Sequence, residues 1–183
     1  MPDTPRKPAV IVSTAAATVL VLVLLCYAAV VGGVIPANAD AKPPVIERWI
    51  AHESLHAAID RGTKGLSDPL PSDDSTMTRG VRLYGTNCAV CHGTSDGQAS
   101  SVAKGLYQQP PQFAKHDVSD DPAEETYWKI THGIRLTGMP SYTETLTADE
   151  RWAIATFLRH QDSLPPHAEE AWKALPSAAQ SRQ

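Results

Sequence analysis

The longest apolar run in the sequence lies near its beginning. Residues 9–35 contain no charged side chain, and 22 of these 27 residues are apolar. As a helix they would measure about 40 Å at 1.5 Å per residue, which is enough to cross a hydrocarbon layer about 30 Å thick with some tilt. Residues 1–39 are therefore predicted to form a membrane anchor or a signal segment.

An uncleaved anchor is favoured over a cleaved signal peptide. Arg6 and Lys7 precede the run, as they would in either case, and residues 37–39 offer small side chains to a signal peptidase. The apolar regions of signal peptides are usually about 7–15 residues long, however, and this one is much longer. Charge does not decide the orientation, because Lys42 and Arg48 lie close to the other end of the run.

A second, amphipathic pattern follows a polar stretch that contains prolines. Residues 45–61 are predicted to form one helix that Gly62 ends. The segment that follows is rich in proline and aspartate, which favours a linker or an extended strap. We therefore expect residues 40–77 to form a connecting helix and a linker. The larger apolar residues of the helix are Ile46, Trp49, Ile50 and Leu55.

The second half of the chain contains helix signals and no alternating strand pattern. A short helix is predicted over residues 79–87. A further helix is expected to begin with Asp121 as its N-cap and Pro122 as its first residue, and to end at Gly133. Residues 147–150 have the sequence of a capping box, which opens a last helix that runs to about residue 160.

These elements predict an all-α fold. The folded domain is expected at residues 78–163, with an N-terminal transmembrane helix before it. Residues 164–183 are expected to form a C-terminal tail with one short helix. Residues 93–116 are predicted to be a loop, because glycines and a Pro-Pro pair interrupt them.

Composition limits the classes of function. The chain has 16 basic and 20 acidic residues and a net charge of −4, which argues against binding to nucleic acid. Three cysteines are too few for a disulfide scaffold. Outside the apolar run, about a third of the residues are apolar, which is lean for a globular core. Either much of that part is unfolded, or something other than side chains fills its interior.

The segment Cys88-Ala89-Val90-Cys91-His92 has the C-x-x-C-H spacing of covalent haem attachment. Two cysteines at this spacing on one turn reach the two vinyl groups of a porphyrin, and the adjacent histidine is then held under the iron. A zinc site would need more cysteines, and the only other one, Cys26, lies in the apolar run. A redox dithiol is the remaining alternative, although no strand–helix pattern surrounds the pair. The motif thus predicts one covalent haem c and its iron at Cys88, Cys91 and His92.

Met139 is the candidate for the second iron ligand. It lies after a helix, in a loop of small residues that would allow the backbone to approach a flat cofactor. The only other internal methionine, Met77, precedes the whole predicted domain. A thioether favours ferrous iron, so ligation by a histidine and a methionine raises the reduction potential. With both axial positions occupied by protein, the site suits electron transfer better than catalysis.

Residues 78–160 resemble a small class I c-type cytochrome. The resemblance rests on Gly80 and Tyr84 before the attachment motif, on the Gly-Met-Pro sequence at residues 138–140 and on residues 154–158 of the last helix. The run from Trp128 to Pro140 is more closely similar to bacterial membrane-anchored monohaem cytochromes c. These proteins also carry a helix with Arg, Ser and His between anchor and haem domain.

The resemblance has implications that the residues alone do not provide. The first and last helices are expected to cross, with Gly80 and Tyr84 against Ile154 and Phe157. A proline carbonyl is expected to accept a hydrogen bond from the ring of the proximal histidine, and either Pro110 or Pro111 fits that role. Because such proteins acquire haem outside the cytoplasm, the haem domain is expected in the periplasm, on a single anchor in the bacterial cytoplasmic membrane.

Three further residues are candidates for contacts with the haem propionates. Arg135 has the charge to pair with a propionate, and Trp128 or Tyr142 has a hydrogen to donate. His132 precedes Met139 closely, but at the end of a helix a histidine more often interacts with the helix dipole. Ordinary packing or surface roles are the alternatives for each of them.

Residues 52–56 also match H-E-x-x-H, the signature of zinc proteases. On a helix His52 and His56 would share a face, and Glu53 would be placed to act as a base. A zinc protease needs a third ligand and a substrate cleft, and the sequence favours no residue for that ligand. We therefore expect these histidines to be solvated or to pack on the haem domain.

The function predicted from the sequence is one-electron transfer between redox proteins of the membrane or periplasm. The chain is expected to be a carrier and not an enzyme. One alternative is a haem subunit of a larger dehydrogenase or oxidase complex. Another is a sensor in which Met139 dissociates and a small ligand binds the iron.

Overall fold

The computed structural model describes residues 6–116 and 118–179, which contain eight helices and no strand. The chain divides into two compact units, residues 1–41 and residues 42–183. The all-α prediction is confirmed. The helices of the second unit are α2 (Val45–Gly62), α3 (Asp74–Asn87), α4 (Ala89–His92), α5 (Ser101–Gly105), α6 (Ala123–His132), α7 (Ala148–Arg159) and α8 (Pro166–Ala174).

The first unit contains one helix, α1 (Arg6–Val31). Its segment Ala9–Val31 is long and apolar enough to cross a membrane, and it is the one such helix in the described part of the chain. The helix ends four residues before the predicted Ile35. Gly33 has a φ of +69°, and the backbone N–H of Gly32 closes the last turn on the carbonyl of Ala28 at 2.8 Å.

Helices α3, α7 and α8 form the main core of the second unit. Tyr84 on α3 and Phe157 on α7 are completely buried, with ring centroids 5.5 Å apart. Trp172 on α8 lies 5.5 Å from the Tyr84 ring and 5.4 Å from the Phe157 ring. The segment predicted as a C-terminal tail, residues 164–183, thus contributes a large side chain to this core.

Helix α3 begins five residues before the predicted start. Asp73 is its N-cap, and its carboxylate accepts a hydrogen bond from the N–H of Thr76 at 2.8 Å. The added first turn buries Thr76 and Met77. The preceding strap also contacts the folded unit, because the hydroxyl of Thr156 on α7 donates to Asp68 at 2.6 Å.

Helix α6 ends at Gly133 as predicted, but its start differs. Pro122 is the N-cap and provides no side-chain cap, and the helix begins at Ala123. The predicted N-cap, Asp121, instead accepts a hydrogen bond from Lys129 at 2.8 Å. The ion pair thus takes the carboxylate that would otherwise cap the helix. For α7 the predicted capping box is present, with both of its reciprocal hydrogen bonds.

The second half of α2 packs its apolar side chains on the folded unit, whereas the first half contacts it through a hydrogen bond from the Tyr107 hydroxyl to Glu47 at 2.9 Å. Ile59 is buried, and Gly62 lies against Trp128 of α6 so closely that a Cβ would be 2.1 Å from the indole nitrogen. Ile46, Trp49 and Ile50 in the first half are each more than half exposed. Three of the four predicted apolar residues therefore lie on a face that the described residues leave uncovered.

Candidate functional site

The two motif cysteines lie on one tight turn: Cys88 joins α3 to α4, and Cys91 lies within α4. Cys88 ends α3, and its N–H donates to the carbonyl of Tyr84 at 2.8 Å. The N–H groups of Cys91 and His92 both donate to the carbonyl of Cys88, at 3.0 and 2.9 Å. Gly93 ends the turn with a φ of +78°, a value that favours glycine. The spacing and the turn therefore bring both cysteines and the histidine together.

The chemical state of the two sulfurs suits thioether formation. Both cysteines are free thiols. Burial raises the pKa of Cys88 to about 12, with a smaller contribution from the nearby Cys91, and burial also raises the pKa of Cys91. Both groups are thus S–H at neutral pH. Adding an S–H across a vinyl group forms a carbon–sulfur and a carbon–hydrogen bond without any net oxidation.

The ring of His92 is held by a loop that follows α5. Its Nδ1 lies 3.0 Å from the carbonyl oxygen of Pro111, and the ring of Phe113 stacks on it, with centroids 4.3 Å apart and planes 9° apart. Burial lowers the pKa of His92, while the Pro111 carbonyl acts in the opposite direction. A neutral imidazole that donates from Nδ1 keeps the lone pair of Nε2 free for a metal.

Of the two prolines left open by the sequence, Pro111 is the one beside the histidine. The carbonyl of Pro110 instead accepts a hydrogen bond from the side chain of Gln112 at 3.1 Å. Sequence reasoning missed Gln112 and Phe113. The Phe113 N–H also donates to the carbonyl of His92 at 3.2 Å, so this loop lies directly against the motif.

Hydrogen bonds within a short loop fix the backbone of Met139. Its carbonyl accepts from the N–H of Ile134 at 3.1 Å. Its N–H donates to the hydroxyl of Thr137 at 3.1 Å, and that hydroxyl donates to the carbonyl of Ile134 at 2.7 Å. The loop can pack against residue 133 because that residue is a glycine: a Cβ there would lie 2.7 Å from the backbone oxygen of Met139. The half-buried side chain of Met139 packs against the core cluster that Cys88 also contacts.

The donor set fits a covalently attached haem. Two S–H groups on one turn match two vinyl groups, and the imidazole of His92 and the thioether of Met139 are ligands that haem iron takes. No described group of three or more His, Cys, Asp or Glu side chains is arranged to hold a metal ion by itself. Residues that would hold the group are thus Cys88, Cys91, His92 and Met139.

The three candidates for propionate contacts lie in different surroundings. The hydroxyl of Tyr142 donates to the carbonyl of Asn87 at 2.8 Å, directly before the attachment motif. Trp128 packs on Gly62, with its ring 4.8 Å from that of His132, and Arg135 is exposed. A role of these residues toward a propionate stays a prediction.

The H-E-x-x-H segment lies on α2 with its two histidines exposed. The rings of His52 and His56 are 4.2 Å apart, as expected for positions one turn apart, and Glu53 lies 3.4 Å from His52. Among the described residues no third ligand completes a metal group there. The segment therefore has the helical spacing of a zinc protease motif but not its ligand set.

One comparison with known proteins found a match. Residues 75–158, just under half of the chain, match the family described as cytochrome C oxidase, cbb3-type, subunit III. The matched range begins in the first turn of α3 and ends in α7, so it includes the attachment turn and Met139. Comparisons with curated proteins and with solved structures found no match.

Proposed function

Residues 75–158 form a cytochrome c domain, consistent with the class I c-type cytochromes and carrying covalently bound haem c, and from this premise we propose that the chain transfers single electrons between redox proteins at the outer face of a bacterial cytoplasmic membrane. Haem c, when bound, supplies an iron that changes by one electron between its ferric and ferrous states. The remaining roles belong to the protein: Cys88 and Cys91 would attach the group, and His92 and Met139 would hold its iron.

The observation that carries the proposal is the contact between His92 and Pro111. A carbonyl 3.0 Å from Nδ1 fixes the tautomer and the ring orientation of the histidine. It also makes the lone pair of Nε2 a stronger electron-pair donor to a metal. His92 is thereby prepared as the proximal ligand. Cys88 and Cys91 on the same turn are the proposed attachment points.

Met139 is the proposed second axial ligand. Three hydrogen bonds within residues 134–139 fix its backbone, and its thioether would hold the iron together with the imidazole of His92. Two protein ligands leave no open coordination position for a substrate, which supports electron transfer over catalysis. A thioether favours the ferrous state and raises the reduction potential.

The proposed periplasmic location rests on two features. α1 is compatible with an anchor by its length and its apolar side chains. Covalent haem attachment in the bacterial cytochromes that this chain resembles takes place outside the cytoplasm. We therefore propose one N-terminal anchor with the haem domain on the periplasmic side.

Exchanging one methionine at a time tests the axial assignment. Met139→Leu is expected to abolish the sulfur-to-iron charge-transfer band of the oxidised protein and to lower its reduction potential. Met77→Leu, which changes the other internal methionine, is expected to retain both. A Met139→Leu protein with the band and potential of the wild type would show that another group is the ligand.

A second candidate function is that of a haem subunit in a larger oxidoreductase. The description of the matching family, a subunit of a cbb3-type oxidase, favours this possibility. The chain would then pass electrons within one assembly. Extraction of the full chain in a mild detergent is expected to retain further subunits at fixed stoichiometry in this case, and to yield the cytochrome by itself if it is an independent carrier.

A further inference from the structure

Gln112 is a buried polar side chain at the back of the attachment turn. Only 9% of its surface is exposed. Its amide nitrogen donates to the carbonyl of Cys91 at 3.0 Å and to the carbonyl of Pro110 at 3.1 Å. Both amide hydrogens are thus used, and they join two segments that lie 21 residues apart in the sequence.

The two carbonyls flank the proposed ligand contact. Cys91 directly precedes His92, whose Nδ1 lies 3.0 Å from the carbonyl of Pro111. Pro110 directly precedes Pro111. The side chain of Gln112 therefore links the residue before the histidine to the residue before its hydrogen-bond acceptor.

The turn leaves room for this amide. A Cβ on Gly93 would lie 2.6 Å from the Gln112 side-chain oxygen, and Gly93 has a φ of +78°. That oxygen is buried and has no hydrogen-bond partner, so it leaves one acceptor unsatisfied, which normally costs stability. The amide nitrogen of Gln112, in contrast, donates to two carbonyls, those of Cys91 and Pro110.

We propose that Gln112 is a positioning residue that holds the Pro111 carbonyl on Nδ1 of His92 and thereby sets the strength of the proximal ligand. The proposal rests on the proposed function, in which His92 binds the iron. A carbonyl that accepts from Nδ1 raises the basicity of the ring and stabilises ferric iron relative to ferrous. If the Pro111 carbonyl moves away from Nδ1 of His92, this hydrogen bond weakens and the ferrous state is stabilised relative to the ferric state.

The test replaces the amide donors and keeps the side-chain volume. Gln112→Met is compared with Gln109→Met, the same substitution at an exposed glutamine of the same loop. The full chain with its haem is used, and two quantities are measured: the reduction potential, and the rate of hydrogen exchange at Nδ1 of His92 by NMR of the reduced protein.

For Gln112→Met we expect a higher potential. A fivefold shift of the reduction equilibrium against a fixed reference couple corresponds to about 41 mV at 59 mV per tenfold change. Exchange at Nδ1 is expected to be faster by a similar factor. Gln109→Met is expected to match the wild type in both measurements.

Gln112→Asn keeps the donors but is one methylene shorter, so it serves as the test if the methionine variant does not fold. It is expected to shift both quantities in the same direction by a smaller factor. If either folded variant loses stability but retains the potential and exchange rate of the wild type, Gln112 is only structural and the proposal is overturned. Failure of the proposed function itself would appear already in the wild type, as a spectrum without covalent haem or without histidine ligation.

Discussion

Gly80 on α3 lies in backbone contact with Ala153 on α7. A Cβ on Gly80 would be 2.1 Å from the carbonyl oxygen of Ala153 and 2.8 Å from the Cβ of Phe157. One turn later, Tyr84 packs its ring edge-on against Phe157. Helices α3 and α7 therefore come into backbone contact at a position where α3 has no side chain.

Substitution of Gly80 by alanine is expected to lower the free energy of unfolding by about 3 kcal/mol, because the added methyl group must displace helix backbone. Denaturant unfolding followed by far-ultraviolet circular dichroism measures this loss. Gly105→Ala is the matched control, since a Cβ there meets nothing within 4 Å, and we expect it to change stability by no more than about 0.5 kcal/mol. Equal effects of the two substitutions would contradict the close crossing.

Trp172 tests whether α8 is part of the folded domain. Its ring lies within 5.5 Å of those of Tyr84 and Phe157, and 7% of it is exposed. Trp172→Ala is expected to cost about 3–5 kcal/mol of stability, as for large aromatic residues in other cores. Trp49→Ala removes the same side chain from a site that is 59% exposed and should cost far less. A small loss at both positions in a urea titration would place α8 outside the cooperative unit.

Features set by neighbouring residues could be predicted from the sequence. The capping box of Thr147 and Glu150 is present because its two hydrogen bonds span only three residues. Gly133 ends α6 because it takes a φ of +66°, a backbone conformation that favours glycine. The turn that carries the two cysteines likewise follows from their spacing.

Features set by distant partners could not be predicted in this way. Nothing near Trp172 in the sequence indicates that it packs on Tyr84, 88 positions earlier. The role of Gln112 depends on Cys91, 21 residues before it. Asp121 forms an ion pair with Lys129, eight positions later, in place of the predicted helix cap. Such outcomes depend on packing that a residue pattern does not contain.

Tyr84 also supports the end of the attachment turn. Its buried hydroxyl donates to the carbonyl of Gly93 at 2.7 Å, and burial raises the pKa of Tyr84, so this donor stays protonated. Tyr84→Phe leaves that carbonyl without its partner and is expected to cost about 1–3 kcal/mol in thermal or denaturant unfolding. Tyr107→Phe removes an exposed hydrogen bond to Glu47 and should cost less than about 1 kcal/mol. If Tyr107→Phe proved the more damaging change, the Tyr84 bond would not be a main support of the turn.

A histidine–carboxylate pair joins α8 to the start of α3. The Nδ1 of His167 is hydrogen-bonded to the carboxylate of Asp74, which also accepts from the N–H of Ala168 at 2.9 Å. The hydrogen bond from His167 lowers the pKa of Asp74 below its ordinary value of 3.8. The same bond, together with the charges of Asp74 and Glu170, raises the pKa of His167 above its ordinary value of 6.5.

The pair makes stability depend on pH in a predictable direction. The contribution of Asp74 is present above its ordinary pKa and is lost as the pH falls through the lowered pKa. That of His167 is fully present below its ordinary pKa and is lost as the pH rises through the raised pKa. His167→Gln is therefore expected to be less stable than the wild type near pH 5.5, with a gap that shrinks near pH 8.5 because the wild type has lost its imidazolium. Melting temperatures of both proteins at the two pH values measure the gap, with His56→Gln on the exposed face of α2 as control. A gap that is constant or widens toward high pH would show that a charged His167 does not hold α8 to α3.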